Sequence, residues 1–194
     1  MAPRHGRGVT LVESLVVIAL AAVLALYAIP SLRATMASNR ADTLANQLVA
    51  SLALARSEAV KLGQSVTVAA LGTGSPAGGP YDWGSAGWCV YSGATCAAGT
   101  SAMVQAGAPV APPMSLFGNM SSVVFDATGR VTNLASGQLE VDFIVCADGS
   151  AAAPNYPQAQ GVTVTSSGRS RVAGHASGQP QLNTGTAMAS CAGP

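Results

Sequence analysis

Two arginines near the end of the sequence have a type and a spacing that suit phosphate binding. Arg169 and Arg171 lie two residues apart in the stretch GRSR, which begins at Gly168. On a strand this spacing puts both side chains on one face, and Ser166, Ser167 and Gly168 before them favour a turn. A planar guanidinium group can form paired hydrogen bonds with a phosphate. The sequence therefore predicts a hairpin whose tip projects two arginines.

Few other cations accompany this pair. Between Gln64 and Pro194 the only further cation is Arg130, against five acidic residues, so this part of the chain has a net charge near −2. Because GRxR is a short motif, two solvated arginines on a polar hairpin are the alternative interpretation. The whole chain has a formal charge of +1, which argues against a generally basic nucleic-acid binder. Any phosphate ligand would be held by few contacts.

The residues that build metal and catalytic sites are scarce. The only histidines are His5 and His175, and none of the four cysteines belongs to a CxxC pair. A zinc site or a Cys/His catalytic pair therefore has little to build on. Glu140 and Asp142 would share one face of a strand, but no nucleophile or base accompanies them. We expect no metal, no cofactor and no enzymatic activity.

The four cysteines fit disulfide bonds in an oxidising compartment. Four cysteines allow three sets of pairings. The predicted set is Cys89–Cys96 with Cys146–Cys191. The first bond would close the short segment VYSGAT as a hairpin, and the second would fix the C-terminal tail to a strand.

A long uncharged run with a carboxylate at its start lies near the N-terminus. No residue from Ser14 to Leu32 is charged, and Glu13 comes directly before this run. The run is close to the roughly 20 apolar residues of a membrane span. A buried core helix and a signal peptide are the alternatives, but a signal peptide has a shorter apolar region that precedes its cleavage site. Because Arg4 and Arg7 come first, the positive-inside bias predicts a cytoplasmic N-terminus and places the rest of the chain outside the cytoplasm.

The elements that must position these residues are one long helix and a series of strands. Leucine and alanine recur at steps of three and four from Leu44 to Leu62, which predicts a helix over 9–62. We expect Pro30 to bend this helix and Gly63 to end it. Alternating and β-branched runs then predict strands at 64–71, 87–92, 121–126, 139–147, 161–166 and 169–173, with a weaker strand at 102–105. Loops are predicted at 72–80, 106–113 and 150–158, and a loosely structured tail at 174–194.

The N-terminal segment resembles a known processing site. A short basic leader, a glycine and the stretch VTLVESL before a long apolar helix resemble type IV pilins and type II secretion pseudopilins. The resemblance implies that a prepilin peptidase cuts between Gly8 and Val9 and methylates Val9, where the usual residue is Phe. It also implies that Glu13 pairs in the filament with the N-terminal amine of a neighbouring subunit, although the helix dipole alone also favours a carboxylate here. The chain would lie in the inner membrane, with its C-terminal domain in the periplasm, before it joins a pilus or pseudopilus.

Later segments narrow the resemblance to the GspH/FimT branch of this family. These segments are ARSEAVKLGQSVTV, FDATGR and VTSSGRSR, together with GW followed by an aromatic residue near 87–91. The implied fold is α+β and type IV pilin-like, with a long N-terminal helix, membrane-spanning in its first half, packed against an antiparallel β-sheet domain. The implied parts are a leader at 1–8, a membrane or filament-core half-helix at 9–35, an amphipathic half-helix at 36–63 and a periplasmic β-rich domain at 64–194.

The resemblance also implies a function for the two arginines. In FimT-type pilins a GRxR element near the C-terminus binds DNA during natural transformation, and here that element is Gly168, Arg169 and Arg171. Few cations and no aromatic residues accompany it, so we expect weak DNA binding without sequence preference. Two alternatives stay open: a GspH-like pseudopilin of a type II secretion system that binds protein partners, and a structural minor pilin that only primes assembly. In each case the partners include other pilins or pseudopilins.

Overall fold

The computed structural model describes most of the chain as one helix followed by short strands. The described residues are 10–72, 81–93, 96, 102–134, 137–147, 159–173, 175–176 and 179–180. By compactness the chain divides into two units, Met1–Met36 and Ala37–Pro194. The predicted arginine pair, Arg169 and Arg171, belongs to the second unit.

The helix, α1, spans Leu11–Leu62 and has 52 residues. Thr10 caps its start, because the Glu13 amide donates to Thr10 Oγ1 at 3.2 Å and so satisfies one of the free N–H groups of the first turn. Gly63 follows its last residue with a φ of 63°, a conformation that a residue without Cβ adopts readily. The predicted end of the helix is confirmed, and the predicted first residue, Val9, lies outside the described residues.

Among the described residues, no single straight helical segment is long and apolar enough to cross a membrane. The segments Leu11–Leu26 and Ser31–Leu62 meet that requirement together, across a bend of 43°. Pro30 lies in the interval between them, where a bend is expected because proline removes a backbone donor.

The second half of α1 buries one apolar stripe in the protein core. The predicted members from Leu44 to Ala59 are confirmed as buried, and two further alanines join them, which gives Ala41, Leu44, Ala45, Leu48, Leu52, Ala55 and Ala59. The prediction is wrong for Leu62, which is 46% exposed. The reason is that the helix ends at this residue.

The strands of the described part are short, and every pairing described between them is antiparallel. They are β1 (Val66–Ala70), β2 (Tyr81–Asp82), β3 (Trp88–Ser92), β4 (Met103–Ala106), β5 (Ser115–Gly118), β6 (Ser122–Phe125), β7 (Glu140–Cys146), β8 (Gln160–Thr165), β9 (Ser170–Val172), β10 (His175–Ala176) and β11 (Gln179–Pro180). One sheet has the order β4-β3-β1-β6, a second has the order β2-β5-β7-β8-β9, and β10 pairs with β11. The fold is thus a helix followed by antiparallel sheets, as the sequence predicts.

The five-stranded sheet places the arginine hairpin at its edge. In the β8–β9 pair, Val162 lies opposite Val172, Thr163 opposite Arg171 and Val164 opposite Ser170. Val162 and Val164 belong to the core cluster that contains the buried stripe of α1. Since side chains alternate along a strand, Thr163 and Arg171 face the other side of the sheet.

Two specific contacts involve residues in or beside the core of the second unit. Trp83 packs edge-on against Phe143 with ring centroids 4.8 Å apart, and its Nε1 donates to the Met120 carbonyl at 2.8 Å. Asp42 of α1 accepts a hydrogen bond from the Gln160 side chain of β8. The second contact fixes the helix relative to the strand that leads into the hairpin.

Most predicted strands are confirmed, and the differences lie where the pattern is weak. All seven predicted segments contain a strand, namely β1, β3, β4, β6, β7, β8 and β9. The strands β2 and β5 are missed, because their sequences, YD and SLFG, contain no run of β-branched residues. The tail prediction is wrong for β10 and β11. Loop segments 73–80 and 150–158 and the tail beyond 180 lie outside the described residues.

Candidate functional site

The predicted arginine hairpin is formed by β8, β9 and the turn between them. The Gly168 amide donates to the Thr165 carbonyl at 2.8 Å, and the Thr165 amide donates to the Arg169 carbonyl at 3.1 Å. Gly168 has a φ of 77°, which favours glycine at this position. Gly168 is buried, whereas Arg169 and Arg171 are exposed. Both arginine side chains are thus accessible to solvent, Arg169 directly after the turn and Arg171 within β9.

The two arginines do not have the same surroundings. Arg171 lies within β9, and its Nε donates to Thr163 Oγ1 at 3.4 Å. Arg169 precedes β9 and lines a cavity beside α1, to which Arg171 does not contribute. The prediction that both side chains share one strand face is therefore wrong, because the strand begins only at Ser170 and Arg169 lies outside it.

A second turn, Asp126 to Arg130, packs directly against the hairpin. The Val131 amide donates to the Ser166 carbonyl at 3.0 Å. A Cβ built on Gly168 would lie only 1.9 Å from the Gly129 carbonyl oxygen. The two backbones are thus in close contact, and the exposed Arg130 lies next to this contact.

Asp126 holds the shape of this second turn. Its Oδ1 accepts hydrogen bonds from the Thr128 hydroxyl at 2.6 Å, the Thr128 amide at 2.8 Å and the Arg130 amide at 3.0 Å. The Thr128 hydroxyl and the Arg130 amide lower the pKa of the Asp126 carboxyl below its ordinary value. The carboxylate is therefore committed to its own turn, and the Arg130 guanidinium stays exposed.

A cavity of about 570 Å³ is lined by residues from the last part of α1 and from the hairpin, and we call it the helix–hairpin groove. It contains three cations and two apolar side chains, and its full lining is Ala53, Arg56, Ser57, Val60, Lys61, Gly168, Arg169 and Ser170. Lys61 forms an exposed ion pair with Glu58 at 3.3 Å. No interaction partner is described for the guanidinium groups of Arg56 and Arg169 in the part of the chain that the structure covers.

Sequence reasoning missed the two helix cations of the groove. Arg56 and Lys61 lie off the apolar stripe of α1, which is typical of solvated residues as well as of binding residues. Their position beside Arg169 depends on how the helix packs on the five-stranded sheet. That packing is a long-range property, and no local signal in the sequence reports it.

A second cavity, of about 350 Å³, lies on another part of the same helix. Its lining combines the segment Ala108–Ala111 and Met114 with five residues of α1, namely Asn39, Arg40, Thr43, Leu44 and Gln47. The walls are mostly apolar or neutral. This cavity lacks the cluster of cations that marks the helix–hairpin groove.

Two carboxylates of β7 are buried on the sheet face that also carries Arg171. Glu140 and Asp142 are 5% and 6% exposed, and Asp142 lies opposite Thr163, which lies opposite Arg171. Burial, and then the charge of Glu140, raise the pKa of Asp142 to about 7. Among the described residues, no group of three or more His, Cys, Asp or Glu side chains could hold a metal ion.

The other predicted site residues are partly covered by the structure. Cys89 and Cys96 form the predicted disulfide. Cys146 is also disulfide-bonded, and its predicted partner Cys191 lies outside the described residues, as do Gly8 and Val9. Glu13 is exposed in the first turn of α1.

Two family models match the sequence, one over most of the chain and one at its N-terminus. The family Type II transport protein GspH matches residues 44–178. The family Prokaryotic N-terminal methylation motif matches residues 3–29. No curated protein matches the sequence significantly.

Two crystal structures of one minor pilin resemble this fold. Both are of the type IV minor pilin FimU from Pseudomonas aeruginosa strain PAO1, and each is 19% identical in sequence. The first has a TM-score of 0.52 and covers 79% of this chain and 96% of FimU. The second has a TM-score of 0.50 and covers 77% and 98%. At this identity the likeness establishes a common type IV pilin-like fold.

Proposed function

Because the chain belongs to the GspH family of minor pilins and pseudopilins, we propose that it is a minor type IV pilin that binds DNA weakly and without sequence preference. Subunits of this family are structural, and the N-terminal methylation motif implies processing by a prepilin peptidase and anchoring in the inner membrane. The family also implies assembly with other pilins. The DNA-binding role goes beyond what the family implies, and it rests on the arginine hairpin.

The observation that supports this role is the contact between the turn that contains Gly129 and the hairpin turn that contains Gly168. We call them the two glycine turns. Their contact brings Arg130 and Arg169 to neighbouring positions, and Arg171 follows two residues later. These are the only cations between Gln64 and Pro194, and all three are exposed. Cations gathered on one edge of an otherwise acidic domain give a local positive field. Such a field suits the phosphate backbone of DNA.

The number of cations limits the affinity. About two to four phosphate contacts give a shallow salt dependence, since each contact adds about 0.9 to the slope of log K against log salt on duplex DNA. The two tryptophans, Trp83 and Trp88, are buried and cannot stack on bases. Backbone contacts without base contacts position a protein on DNA but do not select a sequence. Several subunits or repeated contacts in a filament would raise the effective affinity.

The test is DNA binding by the full-length protein in a non-ionic detergent. Fluorescence anisotropy with a labelled duplex at low salt should detect binding that weakens as salt rises. The double variant Arg169→Gln/Arg171→Gln should nearly abolish binding, because it removes two of the three cations. The matched control is Arg33→Gln/Arg40→Gln, which removes two exposed cations of α1 and should bind like the parent. A parent protein that does not bind at low salt contradicts the proposal.

A second candidate function is a pseudopilin that binds protein partners in a type II secretion system. The observation that favours it is the match of residues 44–178 to the family Type II transport protein GspH. In that case the full-length protein would copurify with the pseudopilins of the host and not with its pili. A third candidate, a structural minor pilin that only primes assembly, would enter pili without binding DNA.

A further inference from the structure

The helix–hairpin groove contains a cation that the proposed arginine hairpin does not include. Arg56 comes from α1, more than one hundred residues before Arg169 in the sequence, yet both line the same cavity. The sequence motif GRxR therefore describes only one wall of this surface. The opposite wall is the last part of the helix.

The position of Arg56 is fixed by the two glycine turns. A Cβ built on Gly129 would lie 3.0 Å from Arg56 Nε, and a Cβ built on Gly168 would lie 3.2 Å from the same atom. The guanidinium group thus rests against two backbones that have no side chains at this point. Because the space is this narrow, the two glycines allow Arg56 to lie beside the turns that carry Arg130 and Arg169.

Arg56 has no counter-charge in the described part of the chain. It is half-buried, and the only ion pair found among the described residues is Lys61–Glu58. A half-buried charge is unfavourable unless a polar or charged group compensates it. An anion that enters the groove would supply that compensation from the open side, next to Arg169.

From these contacts we infer that the helix–hairpin groove binds one backbone phosphate of DNA between Arg56 of the helix and Arg169 of the hairpin. The inference rests on the proposed function for the identity of its ligand. Two planar guanidinium groups can bind the oxygens of one phosphate from two sides. Ala53 and Val60 line the remaining wall and offer an apolar surface to the sugar carbons next to the phosphate.

In this arrangement Arg56 and Arg169 bind the same phosphate, so the effects of substituting them are coupled. If both contact one phosphate, the loss of either should lower the affinity for DNA about tenfold, as expected for one charge-assisted hydrogen bond. The salt slope should fall by about 0.9. The losses in the double variant Arg56→Gln/Arg169→Gln should not add, because both residues serve the same contact.

The experiment compares Arg56→Gln with Arg40→Gln in the full-length protein in a non-ionic detergent. Each variant removes one cation from α1, but Arg40 is exposed and lies outside the groove. Anisotropy with a labelled duplex should show the tenfold loss for Arg56→Gln and parental binding for Arg40→Gln. Arg56→Lys, which keeps the charge but not the planar group, should restore part of the affinity. If the parent binds DNA and Arg56→Gln binds as well as Arg40→Gln, the inference is overturned and the proposed function stands.

A second measurement separates the groove from the proposed function. Inorganic pyrophosphate is titrated into the ¹⁵N-labelled full-length protein, and the amide signals of Gly129 and Gly168 are followed. Shifts at these amides that disappear in Arg56→Gln support a phosphate site in the groove, even if the parent fails to bind DNA and the proposed function is rejected. Absence of shifts at both amides overturns the inference whatever the DNA result.

Discussion

At the scale of single residues, Gly168 determines where the hairpin lies. Its φ of 77° lies in the left-handed region, and the space at its Cα is occupied by the Gly129 carbonyl oxygen. Any side chain here meets backbone atoms, which cannot rotate away as a flexible side chain can. A substitution should therefore separate the two turns and move Arg169 away from Arg56.

We expect Gly168→Ala to destabilise the protein and to weaken DNA binding. The left-handed conformation costs a non-glycine residue about 1–2 kcal/mol, and the backbone overlap adds about 1–3 kcal/mol as in other overpacked sites. Gly63→Ala is the matched control, because Gly63 also has a positive φ but has nothing within 4 Å of its added Cβ. Denaturant unfolding should show a larger loss for Gly168→Ala. Equal losses in the two variants would mean that the contact with Gly129 carries no strain.

The residues of the candidate site were predictable only in part. The hairpin and its exposed arginines follow from local signals, since serine and glycine mark the turn and a strand pattern surrounds it. The contribution of Arg56 does not follow, because it depends on the packing of α1 against a strand more than one hundred residues away. The contact of Gly129 with Gly168 has the same origin, although each glycine by itself suggests a turn.

At the scale of elements, β7 combines a core strand with two buried carboxylates. All seven of its residues are buried. Val141, Phe143 and Val145 face the core cluster, so the alternation of the strand puts Glu140 and Asp142 on the opposite face. Oε1 of Glu140 and Oδ1 of Asp142 have no hydrogen-bond partner among the residues that the structure describes. The sequence predicts the shared face correctly, but the burial of that face cannot be derived from alternation alone.

This arrangement predicts a loss of stability as the pH rises. The pKa of Asp142 is raised from 3.8 to about 7 in the folded protein, so between these values the folded state holds a proton that the unfolded state has released. The free energy of unfolding should therefore fall from about pH 4 to about pH 7 and then level off. Asp142→Asn removes this dependence and should be more stable than the parent at pH 8, by on the order of 1–3 kcal/mol, but not at pH 4.

The measurement is denaturant unfolding at several pH values for the parent, Asp142→Asn and Glu140→Gln. Glu140→Gln removes the neighbouring charge that helps to raise the pKa of Asp142, so its decline in stability should end at a lower pH than that of the parent. Thr163 and Arg171 face Asp142 across the adjacent strands and are unchanged in both variants. Parallel pH profiles for all three proteins would show that Asp142 does not titrate in this range.

The helix and the strands also differ in how well the local sequence predicts them. The long helix and the longer strands β1, β7 and β8 are marked by clear periodicity and by turn residues at their ends. The two-residue strands β2, β10 and β11 exist only because a neighbouring strand offers hydrogen-bond partners. Pairing of this kind is set by the tertiary fold. The sequence therefore predicts no element at β2 and a loosely structured tail at β10 and β11.

At the scale of the whole molecule, the first unit contains apolar side chains that nothing in the described chain covers. From Leu11 to Leu32 the large apolar residues with described side chains are each at least 46% exposed. Such a surface is not stable in water. The family gives the reason, because its members insert this helix in the inner membrane and then assemble with other pilins.

Glu13 is the only acidic residue in this apolar unit, and we predict that it directs assembly. A carboxylate in an apolar environment is costly unless it is paired, and cleavage between Gly8 and Val9 would create a nearby amine on each subunit. The structure also gives Glu13 a local role, since its amide bonds to Thr10, but a substitution of the side chain leaves that bond intact. Glu13→Ala should therefore keep helix and domain folding while its incorporation into filaments falls at least severalfold.

Immunoblots of sheared filaments and of membranes would measure this incorporation, with mass spectrometry to check that the N-terminus is a methylated Val9 in both proteins. Glu58→Ala, which removes a carboxylate from the other half of α1, should assemble like the parent, and normal assembly of Glu13→Ala would show that the pairing is not needed.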